Sequence, residues 1–309
     1  MKPEFVSAMR ESPLPEFSAA QEHEPNWVQQ WRDYYQIDCS RLARQRLGSV
    51  QLEKYSVAVQ SLVPNNPRGC VIVVHGYYDH MGLYGHLFRW ALRKGLAVLA
   101  CDLPGHGLSS GPRAQIDDFA EYQQVLNQLF QIAEQQALPQ PWHLIGQSMG
   151  GAIVMDYALH QPPRPEIGEL VLFAPLVRPH RWLQGRALYL ALRAFVSKVP
   201  RRAINNSTDQ AFLEFLRQEP LQVDFLPTAW VGALSRWIPK LERAQPKAIA
   251  PIIIQGDQDA TVDWQHNLSV LESKSEEVRL CMLAGAGHHL VNEREHYRQR
   301  AFEFIDKFV

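Results

Sequence analysis

Residues 143–155 read "HLIGQSMGGAIVM", a stretch in which one serine, Ser148, lies between Gly146 and a pair of glycines, Gly150 and Gly151. The apolar run before the serine is typical of a strand, and the run after it is typical of a helix, with no loop between them. A serine at such a junction can project its hydroxyl above the edge of a sheet, because glycine two positions before and after it removes a steric clash. The stretch predicts an α/β fold with a serine presented at the carboxyl end of a strand.

Six short apolar runs, including this one, have the composition of strands that are buried on both faces. Each is nearly continuous in valine, isoleucine or leucine and is bounded by turn residues. They read "CVIVV" (70–74), "AVLAC" (97–101), "WHLI" (142–145), "LVLFA" (170–174), "PIIIQ" (251–255) and "RLCML" (279–283). Helical patterns lie between several of them, most clearly after Asp118. This alternation predicts a mostly parallel central sheet flanked by helices on both sides.

The spacing of the runs also predicts the domain organisation. About 75 residues separate the fourth run from the fifth, whereas a crossover between parallel strands needs about a dozen. We therefore expect a helical cap at 177–246, an α/β core at 46–176 and 247–309, and an N-terminal extension at 1–45. The cap helices are expected in "WLQGRALYLALRAFVSKV", "DQAFLEFLRQ" and "AWVGALSRWIPKLERA". The first 26 or so residues, rich in proline and glutamate, predict a loosely held arm, and "WVQQWRDYYQI" predicts a short helix after it.

Composition excludes several functional classes. The chain has 309 residues, 46% of them hydrophobic, and a formal net charge of -1, so nothing in its overall charge favours a nucleic-acid partner. It contains no apolar run of signal-peptide or membrane-spanning length, which predicts a cytoplasmic location. Its four cysteines have no CxxC spacing and its histidines have no HExxH pattern, so we expect no metal site.

Chemically useful residues follow the strands at their carboxyl ends, where ligands bind in open α/β sheets. The segments after five of the runs read "HGYYDH", "DLPGHGLSSG", "GQSMGG", "GDQD" and "AGAGHH". Ser148 needs a base to become a nucleophile, and the last segment offers His288 and His289. A carboxylate must then orient the imidazole, and "GDQD" offers Asp257 and Asp259. The chain order serine, acid, histidine is the order expected for this constellation on a hydrolase sheet.

These five motifs together resemble the α/β-hydrolase fold and, within it, the branch of monoacylglycerol lipases and lysophospholipases. That branch shares its pattern with proteins described as serine aminopeptidase-like, and the resemblance covers about residues 50–309. It implies that Ser148 is the nucleophile, that Asp259 is the acid, as the fourth residue of G-x-x-D, and that His288 is the base, because it follows G-A-x. Asp257 and His289 remain the alternatives.

The resemblance further implies an oxyanion hole made by the backbone N–H groups of Met149 and Tyr77, and it implies no metal or organic cofactor. The sequence departs from the branch at Tyr77 and Tyr78, where small residues are common. Bulky rings at these positions affect the shape of the acyl pocket. We expect Tyr78, Trp182 and Leu188 to be substrate-binding residues.

The predicted cap is locally basic although the whole chain is nearly neutral. Seven basic residues and no acidic ones lie between positions 178 and 202, interleaved with apolar side chains; they are Arg178, Arg181, Arg186, Arg193, Lys198, Arg201 and Arg202. One interpretation is that the apolar stripe packs on the sheet and the charges are solvated. The other is that part of the cap faces an acyl-chain pocket and an anionic membrane surface, which would place the protein peripherally at the inner face of a membrane.

The predicted function is hydrolysis of a carboxylic ester of a single-chain acyl lipid, a monoacylglycerol or lysophospholipid, through an acyl-serine intermediate. An alternative is an amidase or aminopeptidase for small apolar substrates, which would need an acidic group in the cap to bind the substrate amine. Glu214, Glu219 and Asp224 are the candidates for that group. A non-catalytic ligand-binding relative is a further alternative, against which the intact serine, acid and histidine set argues.

Overall fold

The computed structural model describes residues 3–18, 23–201 and 205–309. Within these residues the main sheet has eight strands and a separate antiparallel pair has two. The strands are β1 (Ala43–Gln51), β2 (Ser56–Pro64), β3 (Gly69–Val74), β4 (Leu96–Cys101), β5 (Trp142–Gln147), β6 (Ile167–Phe173), β7 (Lys198–Pro200), β8 (Phe225–Pro227), β9 (Ile252–Gly256) and β10 (Arg279–Leu283). The main sheet has the order β1-β2-β4-β3-β5-β6-β9-β10, and β7 pairs with β8.

The six strands predicted from the apolar runs are all present, as β3 to β6, β9 and β10, and they pair in parallel. The two additional strands, β1 and β2, form an antiparallel hairpin that continues the sheet beyond β4. The first of these lies at the edge of the sheet, where one face meets solvent, and its sequence "ARQRLGSVQ" is accordingly polar. A search for buried apolar runs therefore does not find it.

Helices cover both faces of the sheet. They are α1 (Phe5–Glu11), α2 (Asn26–Tyr34), α3 (Gly85–Arg93), α4 (Ala120–Gln135), α5 (Met149–His160), α6 (Trp182–Leu192), α7 (Gln210–Leu216), α8 (Thr228–Arg243), α9 (Trp264–Lys274) and α10 (Glu295–Ile305). Alternate residues of β3 point to opposite sides: Ile72 packs in a cluster with residues of α4, α5 and α8, and Val71 packs in a second cluster with residues of α2, α3 and α10. This arrangement confirms the predicted α/β-hydrolase fold class.

The segment between β6 and β9 contains α6, α7, α8 and the β7–β8 pair. The helix expected over 182–199 ends at Leu192, and the chain instead forms β7 at Lys198–Pro200. Val196 and Val199 are β-branched and Pro200 has no backbone N–H, so the end of this segment suits an extended conformation better than a helix. The boundaries proposed for the extension, core and cap stay a prediction.

The N-terminal extension packs more tightly than its composition indicated. Phe5, Trp27 and Trp31 are buried in the cluster that contains α3 and α10. The guanidinium of Arg32 forms two hydrogen bonds, of 2.6 and 2.9 Å, with the carboxylate of Glu24. The prediction of a loosely held arm is therefore wrong for residues 3–18 and 23–26, and residues 19–22 of that arm lie outside the described residues.

Candidate active site

Ser148 occupies the one-residue turn between β5 and α5 with φ +53° and ψ -111°. A positive φ is unfavourable for a residue with a Cβ atom. Three backbone hydrogen bonds hold it: Ser148 N donates to Phe173 O (2.8 Å), and Ser148 O accepts from Ala152 N and Leu176 N (both 3.0 Å). The turn therefore fixes the base of the serine side chain at the carboxyl edge of the sheet.

The glycines on either side of Ser148 are required by close backbone contacts. A Cβ atom on Gly150 would lie 2.0 Å from the carbonyl oxygen of Val74, and one on Gly146 would lie 2.3 Å from the carbonyl carbon of Gly150. Both distances are far below van der Waals contact. The G-x-S-x-G spacing therefore reflects the approach of α5 to β5 and to the end of β3.

His288 and Asp259, from the segments after β10 and β9, form a buried hydrogen-bonded pair. His288 Nδ1–H donates to Asp259 Oδ2 at 2.7 Å, and Asp259 Oδ1 accepts from the backbone N–H groups of Thr261 (2.8 Å) and Val262 (3.1 Å). Burial alone would raise the pKa of Asp259, but the charge of His288 and these hydrogen bonds together lower it below its ordinary value. The carboxylate is thus ionised and fixes the imidazole with Nε2 available as a base.

The residue next to the serine contacts the histidine segment directly. Gln147 Nε2 donates to the backbone oxygen of His288 at 2.9 Å. The hydrogen bonds among the described residues do not include one between Ser148 Oγ and His288 Nε2, a contact that is often long in unliganded hydrolases. The structure therefore joins His288 to Asp259 and brings the segments of His288 and Ser148 together. The catalytic roles of the three residues stay a prediction.

The alternative acid and base make other contacts. His289 Nε2 lies 3.0 Å from Asp79 Oδ2, and Asp79 Oδ2 also accepts from Tyr84 Oη at 3.1 Å. Asp257 Oδ1 accepts from Gly285 N at 2.7 Å, which stabilises the turn before the histidines. These contacts favour His288 and Asp259 over His289 and Asp257 for the catalytic pair.

The two candidate oxyanion donors lie on segments that meet at Ser148. Met149 is the first residue of α5, where the N–H groups have no acceptor within the helix and the helix dipole favours negative charge. Tyr77 follows Gly76, and a Cβ on Gly76 would lie 3.5 Å from Ser148 Cβ. Neither backbone N–H takes part in a hydrogen bond within the described chain. Both amides are therefore free to bind an oxyanion.

The three candidate substrate-binding residues have different environments. Tyr78 Oη donates to Phe225 O at 3.1 Å, and the guanidinium of Arg201 lies 3.9 Å from the centre of its ring. Trp182 is buried in the core cluster that contains α4 and α5. Leu188 is 59% exposed on α6. Tyr78 thus connects the loop after β3 to β8, whereas Leu188 lies on the outer surface; the substrate-binding roles stay a prediction.

Two residues that sequence reasoning did not identify hold the histidine segment in place. Asn206 O accepts from the backbone N–H groups of His288 (2.9 Å) and His289 (2.7 Å). Glu293 Oε1 accepts from Gly287 N at 2.7 Å, and its other oxygen accepts from Thr208 N at 2.9 Å. Thr208 and Glu293 are 85 residues apart. No local pattern could have indicated a contact over that separation.

Comparison with known proteins identifies the family. The sequence model of the hydrolase family described as serine aminopeptidase, S33, matches residues 65–295. The chain is 29% identical to a monoacylglycerol lipase of Mycolicibacterium smegmatis over 239 residues, which cover 74% of this chain and 84% of the relative. It is 27% identical to the human monoglyceride lipase over 252 residues, which cover 79% of this chain and 82% of the relative.

Solved structures support the same fold. A soluble variant of monoglyceride lipase from Saccharomyces cerevisiae, in complex with a substrate analogue, superposes with a TM-score of 0.71 at 18% identity, covering 85% of this chain and 94% of that one. The monoacylglycerol lipase of Paleococcus ferrophilus superposes with a TM-score of 0.69 at 19% identity, and the match covers 81% of this chain and 98% of that one. The chain thus belongs to the serine aminopeptidase S33 family of α/β-hydrolase proteins.

Proposed function

We propose that this protein is a serine hydrolase that cleaves carboxylic esters of single-chain acyl lipids, monoacylglycerols or lysophospholipids. The observation that carries the proposal is the buried hydrogen bond between His288 and Asp259, next to the strained turn of Ser148. The relatives named monoacylglycerol and monoglyceride lipases support this substrate class.

In the proposed mechanism, His288 Nε2 takes the proton of Ser148 Oγ as that oxygen attacks the ester carbonyl carbon. The negative charge that develops on the carbonyl oxygen is bound by the N–H groups of Met149 and Tyr77. Asp259 stabilises the imidazolium, which then protonates the oxygen of the leaving alcohol; the tetrahedral intermediate collapses, the alcohol departs and the acyl-serine remains. His288 next deprotonates a water molecule that attacks the carbonyl carbon of the acyl-serine. The imidazolium returns this proton to Ser148 Oγ as the bond between that oxygen and the acyl group breaks, and the fatty acid leaves.

The aminopeptidase alternative needs a carboxylate in the cap that can bind a substrate amine. Glu219 is buried and accepts hydrogen bonds from Tyr35 and Leu221, so it is not open to substrate. Glu214 and Asp224 are exposed. No contact of these three residues favours amine binding, and the ester reaction is therefore the better supported one.

The direct experiment is mass spectrometry of fatty acids released from a panel of monoacylglycerols and lysophospholipids. We expect release by the native protein and a fall in kcat of at least about 10⁴-fold for Ser148→Ala and Asp259→Asn. Asp257→Asn is the matched control, because asparagine can still accept from Gly285 N, and it should stay within a few-fold of the native rate. Faster cleavage of aminoacyl p-nitroanilides than of p-nitrophenyl esters would favour the aminopeptidase instead.

We also propose that α6 and the residues after it contact an anionic membrane surface. Leu183, Leu188, Leu190 and Phe195 are 69%, 59%, 49% and 85% exposed, and exposed apolar side chains grouped in this way are typical of lipid or protein contact sites. Basic residues interleave with them, as in helices that lie on anionic lipid; the exposed ones are Arg181, Arg186, Arg193 and Lys198.

Not all seven basic residues of the cap are available for this contact. Arg178 forms a 2.7 Å ion pair with Glu242, and Arg201 stacks on Tyr78. Arg202 lies outside the described residues. None of the described helices is long and apolar enough to cross a membrane. The proposed contact is therefore peripheral and depends on the exposed side chains of α6 and of the residues after it.

Sedimentation with liposomes tests this surface. The native protein should bind phosphatidylserine liposomes at low ionic strength and bind more weakly at high salt. The double variant Leu183→Ser with Phe195→Ser should lose at least about 10-fold in affinity, because each large apolar side chain contributes about 1.5–3 kcal/mol when it leaves water. Leu42→Ser, at an exposed leucine outside the cap, is the control. Absence of native binding at low salt would exclude the contact.

A further inference from the structure

The loop that carries Tyr77, residues 75–80, is connected to the N-terminal extension through one buried carboxylate. Glu219, in the segment between α7 and β8, accepts from Tyr35 Oη at 2.6 Å and from Leu221 N at 2.9 Å. Its Oε1 atom lies 3.3 Å from Nε2 of His80, and both of these side chains are 0% exposed. Three distant parts of the chain, at residues 35, 80 and 219, thus meet at a single carboxylate oxygen.

The hydrogen bonds fix the protonation of His80. Gly82 N donates to His80 Nδ1 at 3.2 Å, so Nδ1 carries no proton and Nε2–H is the donor to Glu219. The ring is also enclosed: Tyr35 packs against it edge-on at 4.8 Å, and a Cβ on Gly82 would lie 2.8 Å from His80 Cε1. His80 is therefore held in one orientation by Gly82, Tyr35 and Glu219 together.

The rest of this loop is held from within the core. His75 Nε2 accepts from Leu103 N at 2.8 Å, and Gly76 N donates to Tyr84 Oη at 2.9 Å. His80 is the position at which the extension and Glu219 reach the loop. Burial of a carboxylate opposes folding unless its partners compensate, and Glu219 Oε2 has no hydrogen-bond partner among the described residues. A buried carboxyl group with one unpartnered oxygen at this place is difficult to explain by stability alone.

We propose that Tyr35, Glu219 and His80 are positioning residues that set the place of the Tyr77 backbone N–H in the oxyanion hole. This inference depends on the proposed function. Tyr35 lies outside residues 65–295, the range matched by the family model. Through Tyr35, the N-terminal extension therefore helps to position the oxyanion hole, in addition to its packing role.

Kinetics of Tyr35→Phe and Glu219→Gln on a soluble p-nitrophenyl ester test the inference. A misplaced oxyanion donor lowers the rate of acyl transfer with little effect on substrate binding. We expect kcat to fall about 10-fold while KM changes less than about twofold. Tyr34→Phe is the matched control, because Tyr34 is the neighbouring tyrosine of α2 and its hydroxyl makes no hydrogen bond among the described residues; it should keep the native kcat.

A second measurement separates positioning from a general structural effect. An alkyl boronic acid forms a tetrahedral adduct with the serine whose oxygen occupies the oxyanion hole, whereas a non-hydrolysable ether analogue imitates only the bound substrate. The affinity of the variants for the boronic acid should fall by the same factor as kcat/KM. Their affinity for the ether analogue should stay the same as that of the native protein. Equal losses for both ligands would contradict the positioning role.

The outcomes also distinguish this inference from the proposed function. If the native protein hydrolyses esters and both Tyr35→Phe and Glu219→Gln keep the native kcat, the inference is wrong and the function stands. A native protein that hydrolyses no ester overturns both. If Glu219→Gln does not fold, Tyr35→Phe alone decides, because it removes one hydroxyl and keeps the ring that packs on His80.

Discussion

Ser148 has a strained backbone conformation, with φ +53°. A non-glycine residue at positive φ costs about 1–3 kcal/mol and persists only where its surroundings hold it. Here the three hydrogen bonds to Phe173, Ala152 and Leu176 hold the residue, and Gly146 and Gly150 allow the necessary approach. This backbone conformation places the Ser148 hydroxyl at the first turn of α5, where it can react with a substrate.

Substitution of Gly150 tests this argument. In Gly150→Ala the new Cβ would meet Val74 O at 2.0 Å, so α5 must move away from β3. We expect the free energy of unfolding to fall by about 1–3 kcal/mol and kcat to fall about 100-fold. Urea denaturation and p-nitrophenyl ester turnover measure the two effects. In the control Gly185→Ala the new Cβ has nothing within 4 Å, and a Gly150→Ala protein as active as this control would show that α5 has no such constraint.

A buried histidine makes the stability depend on pH. Burial, followed by the charge of His75, lowers the pKa of His106 from 6.5 to about 3, and His106 Nδ1–H donates to Pro104 O at 2.9 Å. The unfolded chain therefore binds this proton near pH 6.5 and the folded chain does not. The resulting stability is complete above pH 6.5 and is lost progressively as the pH falls toward 3.

The variant His106→Asn checks this dependence, since its amide can still donate to Pro104 O but cannot titrate. Between pH 6 and 4, the free energy of unfolding of the native protein should fall more steeply than that of the variant. One proton corresponds to a difference of up to about 1.4 kcal/mol per pH unit. Urea denaturation at several pH values measures both slopes, and parallel slopes would show that His106 does not contribute.

The sequence limited the catalytic residues to a few candidates, but the final choice among them depended on resemblance. Two histidines are adjacent, at 288 and 289, and two aspartates are two positions apart, at 257 and 259, so spacing alone could not separate them. The structure separates them by contacts: His288 faces Asp259, and His289 faces Asp79. The direction of a side chain follows from the turn that carries it, and that information is not local in the sequence.

At the scale of elements, burial decided which parts were predictable. The central strands are buried on both faces, so their apolar runs gave their positions to within a few residues. The edge strand β1 and the short β7 and β8 strands have no such runs and were not predicted. Strand β2 is buried, but Gln60 and Ser61 interrupt its apolar residues, and it was not predicted either. Helix α4 was predicted from its helical pattern, because one of its faces packs on the core.

The cap elements connect to the active-site loops at several separate points. The ring of Tyr77 stacks on Trp230 of α8 at 3.8 Å, the hydroxyl of Tyr78 donates to β8 at Phe225, and Asn206 binds the backbone of His288. Each contact joins residues far apart in the chain. The tyrosines that depart from the family pattern thus have a structural explanation, because their rings link the loop after β3 to the cap.

At the scale of the whole molecule, the N-terminal extension completes one of the two hydrophobic cores. Its residues Phe5, Val28 and Trp31 belong to the same cluster as Phe88 of α3 and Ile305 of α10. The sequence did not show this, because Phe5 lies among prolines and glutamates that are typical of a loose arm, and the short helix predicted for Val28 and Trp31 has no local indication of its partners. Their partners are supplied by distant elements, and only the folded chain brings them together.

Replacement of Trp31 measures how much the N-terminal extension contributes to the free energy of unfolding. Trp31 is 0% exposed, and truncation of a buried tryptophan to alanine costs about 3–5 kcal/mol through lost burial and the cavity that remains. We expect Trp31→Ala to lower the free energy of unfolding by that amount in urea denaturation, whereas Leu42→Ala, at a side chain that is 47% exposed, should change it by less than about 0.5 kcal/mol. A loss below about 1 kcal/mol for Trp31→Ala would mean that the extension adds little to the core. Since Tyr35 directly follows the helix that carries Trp31, such a result would also weaken the proposed link between the extension and the oxyanion loop.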